Sequence, residues 1–197
     1  VFFTSSAASA TVQGVELSGT YSPNSIAGLT LNGSTAYNHS NYDHFVGAAC
    51  YQGQDIAEGC SSNASTAGIQ TLSGHTLTRA PRLTAQLSAD YVRPVSSDYS
   101  AGINGNTNFS SGYYTTAEEN PVGYQKSYFT LDATLRLIRQ DNAWTLELIA
   151  RNLTDKLYGI SGSDAGAPPV GVPGDVALWT NRPREFMLRL TVRPERF

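Results

Sequence analysis

Stretches in which apolar and polar residues alternate one by one run through most of this chain. That period of two belongs to strands with one apolar and one polar face. The clearest stretch lies near the C-terminus, where Trp144, Leu146, Leu148 and Ala150 point one way and Thr145, Glu147 and Arg151 the other. Across the chain the alternation predicts seven strands, over about residues 11–22, 29–38, 83–91, 99–113, 128–138, 143–151 and 186–193. Asn152-Leu153-Thr154-Asp155 breaks the last but one, as a bulge or a flare at a sheet rim would. Ser22-Pro23-Asn24-Ser25, Arg93-Pro94-Val95-Ser96-Ser97 and Arg139-Gln140-Asp141-Asn142 are tight turns. A polar segment over about 41–80, a moderate one over 115–125 and a Gly/Pro-rich one after Tyr158 read as loops.

The connections therefore run short, long, short, moderate, short, long. Sorting by side in this way is a property of membrane barrels, whose periplasmic turns are short and whose extracellular loops are long. The aromatic residues agree. Tyr21, Tyr91, Tyr99 and Trp144 share the parity of the apolar face beside the short turns. Tyr37, Phe109, Tyr113, Phe129, Tyr158 and Phe186 share it at the long-loop ends. From Tyr99 to Phe109, steps of ~3.3 Å at a tilt of ~40° give roughly 25 Å, the height of an apolar band between two girdles. The opposite face is polar throughout, and a soluble sandwich would need one face buried on a core.

Composition supports an all-β chain. It has 11 Tyr, 18 Gly and 9 Pro but only 15% charged residues, and it lacks long runs of helix formers. A mean hydropathy of −0.26 argues against helical spans only, since a barrel strand shows lipid at every second residue. The net charge of −3 offers nothing to nucleic acid. Val1-Phe2-Phe3-Thr4 lacks the basic start of a signal peptide, so the beginning of the chain is expected upstream.

The ending carries a resemblance. An alternating strand, then Asn152-Leu153-Thr154-Asp155-Lys156-Leu157-Tyr158, a Gly-rich loop, Pro183-Arg184-Glu185-Phe186 with its strand, and a terminal Phe197 resemble the close of TonB-dependent outer-membrane receptors. The match is sharpest over roughly the last 70 residues and looser before them. It implies an antiparallel transmembrane β-barrel, with residues 1–197 supplying about seven or eight C-terminal strands of 22. The plug, the remaining strands and the short box that engages TonB are then expected upstream. It further implies residence in the outer membrane of a Gram-negative cell and energy-coupled uptake of a scarce ligand, such as a ferric siderophore or another large nutrient. Outer-membrane lipid, the TonB complex and the barrel assembly machinery are the implied partners, with Phe197 as the assembly signal. A passive porin is the alternative.

Within that frame Cys50 and Cys60 fall in one long loop. The oxidising periplasm favours a disulfide, against two unpaired thiols or a metal pair. Asn108, Ser110, Thr130, Asp132 and Arg151 face the lumen and are the substrate-path candidates, although such residues also serve to hydrate a lumen and contact a plug. His39, Asp43 and His44 sit together, with a solvated loop the simpler reading than a metal site. Glu118-Glu119 reads as a solvated pair, and the sequons at Asn38, Asn63 and Asn152 as chance matches. The sequence holds no nucleophile–base pattern or phosphate loop, so no enzyme activity and no cofactor are expected.

Overall fold

The computed structural model describes residues 9–62, 68–165 and 174–193. Its main body is one antiparallel sheet of seven strands: β1 Ser9–Tyr21, β2 Leu29–His44, β5 Leu83–Pro94, β6 Tyr99–Ser110, β9 Tyr128–Arg139, β10 Trp144–Arg151 and β13 Glu185–Val192. Each strand pairs with the one before and the one after it in that order, so the sheet is a meander with β1 and β13 as its edges. Each predicted strand has its counterpart. The short turns gather at one end and the long connections at the other. In the turn after β9, Asn142 takes φ 58°, a left-handed backbone that asparagine tolerates, and its N–H donates to Arg139 O at 2.8 Å.

The apolar face has nothing packed on it. Leu17 is 70% exposed and Leu188 72%, and Leu135 and Leu148 lie side by side in register and exposed as well. Tyr37, Phe129 and Phe186 are exposed toward the long-loop end, while the rings of Tyr99 and Trp144 meet at 5.7 Å beside the short turns. The buried apolar cluster among the described residues is Phe45, Ala48 and Leu72 with Tyr42 against it, and it belongs to a loop. A sheet without a core on either face must meet another apolar medium.

The polar face is tied together crosswise. Thr20 donates to Asn32 at 2.8 Å, Asn32 to Ser88 at 3.3 Å, and Gln86 to Asn106 at 3.0 Å. Lower down, the Arg136 guanidinium reaches over β6 to the Asp90 carboxylate, which also accepts from Asn104. Gly102 lies beneath that crossing, where a Cβ would come within 3.1 Å of Arg136 Nε and press the side chain aside slightly. Glu147, opposite Arg136 in register, is bonded by Arg189 at 2.6 Å. Charges thus alternate in sign across this row. Ile149 shares the face with Glu147 and is buried, beside Thr134 and Met187; the strand's polar side is not uniformly polar.

Three features differ from the sequence reading. Strand β2 runs on to His44, past the point where apolar alternation stops, because β1 goes on supplying hydrogen bonds where neither face needs to be apolar. Strand β6 ends at Ser110, and Tyr113 belongs to a separate hairpin. The three segments expected as loops each fold into a small two-stranded sheet: β3 Val46–Ala49 with β4 Ile69–Thr71, β7 Tyr113–Tyr114 with β8 Tyr124–Gln125, and β11 Gly159–Asp164 with β12 Val176–Thr180. A strand of two to six residues spans too few periods to be read from alternation. Among the described residues no helix is long and apolar enough to cross a membrane, which says nothing about strands.

Candidate functional site

At the long-loop end the polar face hollows into a concavity of about 1100 Å³. Its wall is the upper part of β1, β2, β5, β6 and β9; its rim is Arg79, Pro81, Tyr113, Tyr158 and Ile160 from the long connections. The three hairpins lock together above it. Thr115 O accepts from Gly162 N–H at 3.0 Å, the Tyr113 hydroxyl donates to Gly159 O at 2.8 Å, and Gln70 donates to Glu118 O at 2.8 Å. The Asp164 carboxylate accepts from the Asn120 amide and from the Gln52 N–H, joining all three connections at one residue.

Of the five substrate-path candidates, Asn108, Ser110 and Thr130 are brought together on this wall. Asn108 lies between Gln86 and Thr130 in register. Asp132 and Arg151 are not on it. Asp132 accepts the Asn152 N–H at 2.7 Å and so serves the end of β10, while Arg151 is exposed opposite Glu185. Phe197 lies outside the described residues. The sequence reading also put Tyr113 and Tyr158 in the apolar girdle. Both line the concavity instead, because each follows a break in its strand that resets parity. The ring of Tyr158 stacks on that of Tyr128 at 3.9 Å and 12°, and Tyr113 stands on the same lining with its hydroxyl on Gly159 O. No period in the sequence could have revealed this tyrosine group.

Cys50 and Cys60 are joined in the structure across a Cα separation of 5.9 Å. Gly68 passes against the bridge so closely that a Cβ there would run into Cys60 Sγ. Glu119 is not a solvated residue. It is buried and meets His75 Nδ1 at 2.6 Å, and burial pushes its carboxyl upward while the His75 contact pulls it back. Burial likewise raises Glu118, with Asp164 adding to the effect. Thr11 donates to Asp43 and Asn41 lies 3.4 Å from the His39 ring; among the described residues no group of three or more His, Cys, Asp or Glu is placed to hold a metal.

The Asn152 segment shifts the pairing by one residue at the sheet rim, where the Leu153 N–H still donates to Leu131 O at 2.7 Å but out of the β9–β10 register. Asn152 and Asp155 both take left-handed backbone, at φ 49° and 50°, and the Asp155 N–H donates to Asn152 O at 2.8 Å. The buried Asn152 side chain accepts from Lys156 N–H and donates to Lys156 O and to Arg182 O, all near 3 Å. One amide thus closes the base of the last long loop, and its burial leaves the sequon there unavailable. Asn63 lies outside the described residues. In the intact protein, Asn152→Ala should cost about 2 kcal/mol in lost hydrogen bonds and left-handed strain. Asn152→Gly keeps the backbone and should cost less. Equal losses in urea titrations of the two variants would contradict this account.

Residues 1–153 match the family described as TonB dependent receptor-like, beta-barrel. No curated protein matches the chain. Among solved structures, the ferric yersiniabactin uptake receptor of Yersinia pestis is similar at a TM-score of 0.64 and 14% identity, covering 93% of this chain. The siderophore receptor PiuA of Acinetobacter baumannii is similar at a TM-score of 0.58 and 18% identity, covering 92%. The chain spans 23% and 21% of the length of those two receptors.

Proposed function

The chain belongs to the TonB-dependent receptor β-barrel family, and on that premise we propose that it forms barrel wall and extracellular loops of a receptor for energy-coupled uptake across a Gram-negative outer membrane. The observation that carries this reading is the sheet itself. One face is apolar and uncovered between two bands of aromatic residues, and the other is a polar wall under a roof of interlocked loops. Lipid suits the first face. A water-filled passage suits the second.

In this reading residues 1–197 are the C-terminal segment of a 22-stranded barrel, and a plug upstream holds the segment that TonB engages. The cargo is a scarce ligand, such as a ferric siderophore or another large nutrient, that contacts the loops before reaching the wall. Asn108, Ser110 and Thr130 stand on its path, whereas Asp132 is engaged by the Asn152 N–H and Arg151 lies exposed at the end of β10. The barrel assembly machinery inserts the protein, with Phe197 as its signal. The Cys50–Cys60 bridge keeps the first long loop in shape; thiol labelling of denatured, unreduced receptor taken from the outer membrane should find neither cysteine free.

The test is uptake of radiolabelled iron chelates by cells carrying the intact receptor, with and without TonB. Uptake that vanishes without TonB supports the proposal. Uptake that persists without TonB favours the passive-porin alternative.

A further inference from the structure

The wall of the concavity is nearly free of charge. Among the described residues that line it, only Glu16 and Arg79 carry a charge at neutral pH, one of each sign. A ligand bearing several negative charges would meet one guanidinium and one opposing carboxylate, whereas recognition of such groups needs clustered cations. What the wall offers instead are amides and hydroxyls, which both donate and accept. Asn108, Ser34 and Thr130 make no side-chain hydrogen bond with other described residues, and the Gln86 amide spends one N–H on Asn106 while its oxygen is unused.

Beside these open groups stand the tyrosines. Tyr128 and Tyr158 are stacked at 3.9 Å and 12° into a two-ring slab, each ring half-buried, so the stack restrains both rings before any ligand arrives. Rigid aromatic faces bind apolar ring surfaces at little entropic cost, and their hydroxyls remain available at the edge. Neutral hydrogen-bonding groups next to a fixed aromatic face suit a ring that is apolar on its face and hydroxylated around its rim. The concavity is at the upper end of ligand-pocket volumes, which leaves space for more than one such ring.

We propose that this concavity binds an uncharged, polyhydroxylated ring ligand of the oligosaccharide class. The inference rests on the uptake reading above and names its cargo by chemistry. The slab carries the ring faces, and Asn108, Thr130, Ser34 and Gln86 read the hydroxyls. Arg79 and Glu16 are the charged groups of this lining among the described residues, one of each sign, so a charged ligand of either sign meets no cluster of opposite charge there.

The experiment uses the intact receptor in detergent on an array of neutral oligosaccharides, with the same scaffolds carrying sulfate or carboxylate groups beside them. Retention of neutral members and rejection of their charged counterparts is the expected result. Asn108→Asp, which keeps the size and adds a charge, should weaken binding by about tenfold or more. Tyr158→Ala should weaken it similarly, while Tyr158→Phe, which keeps the ring, should retain most of it and guards against misfolding. Failure of every neutral member to bind overturns the inference, as does equal binding of charged members. It also falls if Asn108→Asp lowers thermal stability and leaves binding unchanged, which would mark the wall as a contact for a plug. TonB-dependent uptake of an iron chelate alongside failure on the array would sink this inference and leave the uptake reading standing.

Discussion

Residues 1–197 expressed on their own should aggregate or be degraded, and should give no heat-modifiable monomer in detergent. The reason lies at the two edges of the sheet. No register joins β1 to β13, and between them they present the outer backbone groups of Ser9–Tyr21 and Glu185–Val192 without partners among the described residues. In hydrocarbon each unpaired N–H or C=O costs several kcal/mol, so a row of them outweighs anything the rest of the sheet supplies. The apolar faces of the same strands, Val15 and Leu17 on one edge and Leu188 and Leu190 on the other, rule out water as an alternative. Edge-to-edge association of copies is what remains. A monodisperse species whose electrophoretic mobility shifts on heating would show that the edges can close on each other, and the open-sheet account would fail.

The second large effect is expected at Leu148→Arg. Leu148 lies on the uncovered face between Leu135 and Leu188 in register, and each of its neighbours is exposed as well. Placed near the bilayer midplane, an arginine there should cost roughly 2–4 kcal/mol. Its neighbour Glu147 points the other way, with its side chain 13% exposed and bonded to Arg189. Glu147→Gln preserves an acceptor for that bond and should be far milder. Refolding titrations of the intact receptor into lipid vesicles measure both. Equal tolerance of the two changes would refute the assignment of faces.

The second expectation rests on parity, which was legible from the chain alone. Trp144, Leu146 and Leu148 against Thr145 and Glu147 specify two faces with no reference to any partner, because successive side chains of a strand must point to opposite sides. The seven long strands followed for the same reason, since each repeats the period several times. The short turns were legible through local backbone chemistry, such as the asparagine that takes left-handed backbone at Asn142. Where the period was short or absent, reading failed. The pairs β3–β4, β7–β8 and β11–β12 are held by contacts between connections far apart in sequence, as when Asp164 receives Asn120 and Gln52 together.

The candidate site divides along the same line. Asn108, Ser110 and Thr130 share the polar wall of the concavity because they sit in phase within long strands. Asp132 has the same parity, yet its carboxylate is taken up by the Asn152 backbone, a use that depends on where β10 happens to end. Glu119 looked like an ordinary loop acid until the fold buried it against His75. By itself the sequence determined the class of fold, the faces of each strand and the sides on which short and long connections lie, because all three follow from local alternation and turn chemistry. Only the tertiary structure decided that Tyr113 and Tyr158 leave the apolar band to join Tyr128 over the concavity, since parity does not carry across a break in a strand and the partners that recapture those rings come from other connections.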